Sequence, residues 1–261
     1  IAIIPHIFKF IIFTNFKSMN LIEKVIKIFS THYFLKGAEK NYINLNKRRW
    51  KLKNYKKSTK NVILVDFFPW SPWIHIWSYL TNILSFKHKA KIHFFYFHLI
   101  EWNTHKYKIF FRKLEKIYNS FNAEKGIFEL DFRYNEIEKK KYLKIIKKFK
   151  GKKSKLISYQ IDGIKIGDLI YDTYIRTTYE PTVDLKRVEF ENIFVRAHKI
   201  FYEIKKYFNK FNVKAVVPSH SCYISYGLIM RYSLKKNIPV YKVNSVDRGS
   251  IDFKLIEIKT K

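Results

Sequence analysis

One cysteine, Cys222, and only seven glycines occur in this chain of 261 residues. A single thiol excludes an internal disulfide and a cysteine-based metal cluster, and nothing marks an oxidising compartment. So few glycines disfavour a glycine-lined dinucleotide site. No GxGxxG, Walker A, HExxH or Gly-x-Ser-x-Gly pattern is present, and no cofactor is expected. Long unbroken apolar runs are also lacking. The amino-terminal IAIIPHIFKFIIFTNFKS is interrupted by Pro5, His6 and Lys9, is too short to span a bilayer and has no small-residue cleavage site. Natural translation is expected to start at Met19, with a membrane-surface segment as the alternative.

Carboxylates are scarce as well: 21 acidic side chains face 52 basic ones, for a formal charge of +31. Such a charge points to polyanions. The excess is mostly lysine, however, in a chain also rich in Ile, Asn, Phe and Tyr, the set that AT-rich coding produces. Arginine, the residue suited to bidentate phosphate and base contacts, is rare. Nucleic acid is therefore disfavoured as a partner, and an anionic membrane face is preferred. A hydrophobic share of 47% is ample for a core, and an aromatic share of 18% argues against disorder.

Residues 1–60 read as an apolar segment, an amphipathic helix over 20–33 and a polar, lysine-rich linker from Lys36 to Lys60. The pattern then changes. KNVILVDFFPW reads as a buried strand at 62–67 that stops at Pro69, followed by a helix over 74–86 and a second strand at 91–97. Helices are expected at 104–121 and 136–150, with GIFEL as a short strand between them. Asp162-Gly163 between alternating residues signals a hairpin. Asp168 is placed to cap a helix running to Arg176, and 185–211 reads as a long amphipathic helix. Strands at 213–218 and 239–243 close the pattern. The fold class is α/β, a Rossmann-like parallel sheet with flanking helices over residues 61–245. Residues 246–261 read as a tail or the start of a further domain.

Three groups of residues could carry chemistry. In VVPSHSCY, His220 falls at a strand's carboxyl end ahead of a helix starting near Cys222, with Ser219 and Ser221 able to cap it and Tyr223 beside them. Ligands of open parallel sheets bind at such ends, where an imidazole can bond a hydroxyl or move a proton near neutral pH. The bland alternative is a capping Ser-His-Ser with His220 in water. At the first strand–helix junction, Asp66 is followed by Ser71 and a cluster of Trp70, Trp73, His75 and Trp77. Rings beside a carboxylate suit sugar binding, whereas packing of the helix on the sheet explains the tryptophans equally well. Asp168, Asp172 and Arg176 share one helical face, as a polar wall over the cleft or as a capping Asp with a surface ion pair. Cys222 is read as packed rather than nucleophilic.

In order, ILVDFFPWSPWIHIWSYLTNILSFKHKAKIHFF, GIKIGDLIYDTYIRTTYEPTVD and AVVPSHSCYISYGLIMRYSLKKNIPVYKV resemble segments of bacterial surface and capsular polysaccharide biosynthesis proteins. The resemblance covers about Asn61 to Val243. It implies a glycosyltransferase-like protein of the GT-B type, in which two Rossmann-like domains face a cleft. This chain would be the acceptor-side half, with the nucleotide sugar held mainly by a second domain beyond Lys261. On that reading His220 and Asp66 are the catalytic candidates. Ser71, Trp73, Asp168, Asp172, Arg176, Ser219, Ser221 and Tyr223 are the substrate-binding candidates. The partners would be a sugar or lipid-linked acceptor, a nucleotide sugar and an anionic membrane surface, at the inner face of the cell membrane. The competing readings are a basic nucleic-acid module and a non-catalytic scaffold in a polysaccharide assembly complex.

Overall fold

The computed structural model describes residues 37–50, 60–68, 71–98, 104–245 and 253–258. The apolar amino-terminal segment, the expected helix at 20–33 and Trp70 lie outside them. The first described element corrects the reading of 36–60 as linker. Gly37–Arg49 is a helix, α1. Its anchor is narrow: Ile43 and Asn46 are buried, Tyr42 donates to the Ile74 carbonyl at 3.2 Å, and Asn46 donates to Ser120 Oγ at 3.0 Å. A strip of three residues within a basic sequence leaves little amphipathic signal, which is why the helix was read as linker.

The sheet begins with β1 (Asn61–Asp66), followed by α2 (Ser71–His88), β2 (Lys91–Tyr96), α3 (Thr104–Asn119) and β3 (Ala123–Phe128). A 3₁₀ turn at Glu129–Asp131 leads to α4 (Glu136–Lys148) and α5 (Lys153–Ile157). A small hairpin of β4 (Gln160–Ile161) and β5 (Ile164–Lys165) precedes α6 (Gly167–Thr178) and α7 (Val188–Lys210). The chain re-enters the sheet with β6 (Asn212–Val217), passes through a π-helix at Tyr223–Gly227 and α8 (Leu228–Lys235), and ends in β7 (Val240–Ser245) and β8 (Phe253–Ile258). The six-stranded sheet has the order β3-β2-β1-β6-β7-β8. All neighbours are parallel except the β7–β8 pair. This is the expected Rossmann-like α/β fold. The strands expected at 62–67, 91–97, 213–218 and 239–243 fall within two residues of those positions, β3 starts three residues ahead of GIFEL, and β8 was not expected.

Alternation along β1 builds two cores. Ile63 and Val65 face α2 and α3, packing with Trp77, Leu114 and Phe121, while Val62 and Leu64 face α7, packing with Phe194 and Phe201. A strand buried on both faces has to be apolar throughout, and VILV is. The aromatic share is largely consumed here, with Phe67, Phe94, Phe95, Phe97, Phe190 and Phe194 all buried. Asp162 and Gly163 both have positive φ, 50° and 72°, the backbone of the tight turn that Asp-Gly favours. At Gly167 a Cβ would sit 1.6 Å from the Leu156 carbonyl oxygen, so α6 can begin there only on glycine.

Two further corrections bear on the site. Residues 246–261 do not all lie outside the first domain, because β8 pairs antiparallel with β7 from Ser245↔Phe253 to Val240↔Ile258 and extends the same sheet. The helix expected from Cys222 is a five-residue π-helix first, and α-helix only from Leu228. Neither serine caps it: Cys222 occupies the cap position without a side-chain bond, and the Ile224 amide donates instead to Thr173 Oγ1 of α6 at 2.9 Å.

Candidate functional site

The chain runs outward through β1, β2 and β3, then returns over α7 to lay β6 on the other side of β1. The carboxyl ends of β1 and β6 therefore diverge at a topological switch point, where open α/β sheets bind ligands. Asp66 is the last residue of β1 and Ser219 follows β6 by two residues; both are 2% exposed. The Ser219 hydroxyl and the Asp66 carboxylate Oδ2 are in a short hydrogen bond, and the Ser219 amide donates to the same oxygen at 3.3 Å. His220 Nδ1 lies 2.8 Å from Ser219 Oγ. Asp66, Ser219 and His220 thus form one hydrogen-bonded chain from the interior to the half-buried imidazole.

The backbone around Asp66 is held from α3. Tyr118, wholly buried, donates to the Asp66 carbonyl at 2.7 Å and accepts from the Phe68 amide at 3.0 Å. Phe68 and Tyr226 flank the His220 ring, with centroids 5.7 and 5.0 Å away. Lys242 of β7 donates to Ser221 Oγ at 3.2 Å. Tyr223 enters the π-helix at φ 60°, a left-handed conformation that costs a bulky residue about 1 kcal/mol or more. Strained residues and π-turns both concentrate at functional sites.

Burial without a neighbouring cation pushes the Asp66 carboxyl up to about 7, against the lowering effect of its bonds to Ser219 and Phe67. Burial, and then the positive charge of Lys242, lowers His220, so its imidazole is neutral at neutral pH. Burial raises the Cys222 thiol, which makes a thiolate nucleophile less accessible there.

A serine, a histidine and an aspartate in contact invite comparison with a hydrolytic triad. The connectivity is wrong for one. In a triad the carboxylate bonds the histidine and the serine is exposed to attack. Here the carboxylate bonds the serine, and the serine is buried.

The other predicted residues divide. Ser221 lies beside His220 through their shared neighbour Lys242, and Tyr223 starts the adjoining π-helix. Asp172 is exposed on α6, close enough for its charge to raise the Cys222 thiol further, and its own carboxyl is raised by burial and by Asp168. Asp168 is engaged elsewhere: Arg231 of α8 grips both its oxygens at 2.6 and 2.9 Å, tying α6 to α8. Asp168 is not itself the cap residue, which is Ile166, but its carboxylate accepts the first-turn Leu169 amide at 3.0 Å as well as the Arg231 bridge. Arg176 is exposed, and no ion pair joins it to Asp172 among the described residues. Trp73 packs on the α2 side of the sheet with its ring centroid 5.9 Å from that of Trp77, the packing alternative rather than an open platform. Ser71 is the first residue of α2.

A second polar cluster escaped the sequence reading. Glu129, just after β3, receives Arg196 of α7 on both oxygens, at 2.9 Å for the Nη2–Oε2 bond, and the His98 amide at 2.8 Å. His98 Nδ1 also lies 2.8 Å from Oε2, close enough for an ion pair but out of line for a hydrogen bond. The His98 carbonyl accepts from Arg196 and from Ser225 of the π-helix, the latter at 2.6 Å. One π-helix therefore touches both clusters, through Ser225 here and Tyr226 at His220. A detectable signal existed: a lone carboxylate in GIFEL and a lone guanidinium in IFVRAHKIF each interrupt an apolar run.

Searches against protein-family models, curated proteins and solved structures found no match to this chain. Among the described residues no helix is long and apolar enough to cross a membrane, and no three His, Cys, Asp or Glu side chains converge to hold a metal ion.

Proposed function

We propose that the protein binds a hydroxylated acceptor at the β1–β6 switch point and acts in sugar transfer from a nucleotide donor, in assembly of a cell-surface polysaccharide at the inner membrane face. The observation that carries this reading is the hydrogen-bonded chain Asp66–Ser219–His220. With Asp66 ionised, Ser219 donates its hydroxyl proton to the carboxylate and accepts Nδ1–H from His220. That tautomer leaves Nε2 with its lone pair, and Nε2 has no hydrogen-bond partner among the described residues. His220 then takes the proton of an acceptor hydroxyl as the oxygen attacks the anomeric carbon. The bond from that carbon to the diphosphate breaks, and the nucleoside diphosphate leaves with the electron pair. The imidazolium that forms is stabilised through Ser219 by the Asp66 charge. Asp66 is too deeply buried to meet the acceptor itself, so it is a positioning residue.

The resemblance of three ordered segments to polysaccharide biosynthesis proteins supports the same chemistry, and the basic surface suits lipid-phosphate acceptors and anionic headgroups. The test is nucleotide release from a panel of nucleoside-diphosphate sugars with a bacterial lipid extract as acceptor. His220→Ala is expected to lower the rate by roughly 10²-fold while leaving the melting transition in place. Turnover should also fall as pH drops through about 7, where Asp66 takes up a proton and no longer orients Ser219 and His220. Wild-type turnover in His220→Ala, or no binding of the lipid acceptor by the wild-type chain, would refute the assignment.

A further inference from the structure

Away from the switch point, an open cavity of about 620 Å³ runs along the outer edge of the sheet, between β3 and the second half of α7. It falls within the size range of small-molecule sites. Its floor contains His93 of β2, 6% exposed, whose Nδ1 is 2.5 Å from the Tyr207 hydroxyl of α7. Gly126 of β3 makes that contact possible. A Cβ there would approach His93 Cβ to 2.9 Å, the Phe94 carbonyl to 3.0 Å and the Tyr207 hydroxyl to 3.2 Å. The β2–β3 register also shifts at this point, between Phe94 and Tyr96. Such irregularities re-aim side chains and gather next to active sites.

The walls carry charge of mainly one sign: Lys125, Arg133, Lys199, Lys206 and Lys210, against the carboxylates of Asp131 and Glu203. Lys125 is paired with Asp131 at 2.7 Å, while Lys199 and Lys206 share Glu203 at 3.4 and 4.0 Å. Arg133 and Lys210 have no carboxylate partner among the described residues. Lys210 instead rests 5.3 Å from the Phe211 ring centroid. Phe128 and Phe132 add apolar surface.

We infer that this cavity binds a small molecule bearing a phosphate or diphosphate, held by Arg133 and Lys210, with its apolar body against the phenylalanines. Tyr207 supplies a switchable donor. With the ring proton on Nδ1, His93 donates to the Tyr207 oxygen and frees the phenol proton for the anion. Positive surroundings already act on the imidazole, since after burial the charges of Lys91 and Lys210 contribute to holding His93 down at about 4. A nucleic-acid strand fits less well, because these cations line a concavity of molecular size rather than a stripe. The inference does not depend on the chemistry assigned to His220.

The test is calorimetric titration of the intact chain at about 0.15 M salt, near physiological ionic strength, with inorganic pyrophosphate and with adenosine diphosphate. One saturable site is expected for both probes, weakened at least about tenfold in an Arg133→Ala/Lys210→Ala double variant and less in Tyr207→Phe. In NMR spectra the His93 ring resonances, assigned with His93→Gln, are expected to move on addition of either probe. Tighter binding of the nucleotide would show that the apolar wall is used, and equal binding that the diphosphate suffices. Absence of saturation by both probes, an unchanged affinity in the double variant, or displacement of pyrophosphate by an oligonucleotide at lower concentration would overturn the inference. Arg133 and Lys210 are exposed, so the stability of the double variant is expected to match the wild type within about 1 kcal/mol.

Discussion

Asp66 and Glu129 are two carboxylates buried to nearly the same extent at one end of one sheet, yet their acidities move apart. Asp66 is raised to about 7, since burial is opposed only by hydrogen bonds from neutral groups. Glu129 also pays for burial but is lowered overall, by Arg196 first and then by His98. Burial sets the penalty, and the partner decides whether the charge survives it. The first arrangement leaves a proton free to move near neutral pH. The second locks a charge in place and joins β2, β3, α7 and the π-helix.

The largest effect expected from this contrast is on the locked side. Arg196→Met leaves Glu129 buried without its cation and is expected to cost about 3–5 kcal/mol in denaturant unfolding, the range for breaking a buried pair. Combining it with Glu129→Gln is expected to restore much of the loss, because no charge is then stranded. A single-variant cost below 1 kcal/mol would remove the distinction between the two sites.

On the free side the sign reverses. The unfolded Asp66 titrates near 3.8 and the folded one near 7. Between those values the folded state holds a proton that the unfolded state has lost, so this residue's contribution to stability falls as pH rises from about 4 to about 7. Above that window the full penalty remains. Asp66→Asn is therefore expected to raise stability by up to about 4 kcal/mol at pH 8, with little change at pH 4. The measurement is a pair of urea titrations, and a gain confined to pH 4 would reverse the argument.

The smallest effect is expected at Asp168–Arg231, whose geometry is bidentate but whose partners are both partly open to water. Arg231→Met should cost no more than about 1 kcal/mol, with sensitivity to salt. A loss as large as that of Arg196→Met would mean that hydrogen-bond geometry, rather than burial, sets the scale.

How much of this was legible follows from the range of each signal. The strands were readable because VILV must be apolar when covered on both faces, and IHFF departs from that pattern only at His93. The hairpin was readable because Asp-Gly has few other uses between alternating residues. The meeting of Asp66 and His220 at one switch point followed from topology, since both end strands of one parallel sheet. The serine between them was assigned to capping, because a hydroxyl's choice between a nearby amide and a distant carboxylate is made by tertiary structure. The same limit hid Glu129 and Arg196, 67 residues apart in sequence and in contact only once α7 folds back under β3. It hid α1 too, where three anchoring residues sit among lysines and asparagines.

The π-helix has a consequence in register. An α-helix turns about 100° per residue, and a π-turn accommodates one residue more over the same rise. Downstream the phase is pinned at Gly227, where a Cβ would come within 2.5 Å of Leu169 Cδ2. Upstream, the extra residue is what brings Ser225 to the His98 carbonyl and Tyr226 to the His220 ring. Deleting one residue between Tyr223 and Gly227 would regularise the helix and swing those two side chains about a quarter-turn away, leaving the sheet beneath untouched. A single-codon insertion is thus a sufficient genetic step to convert an ordinary strand–helix connection into one that joins the two clusters.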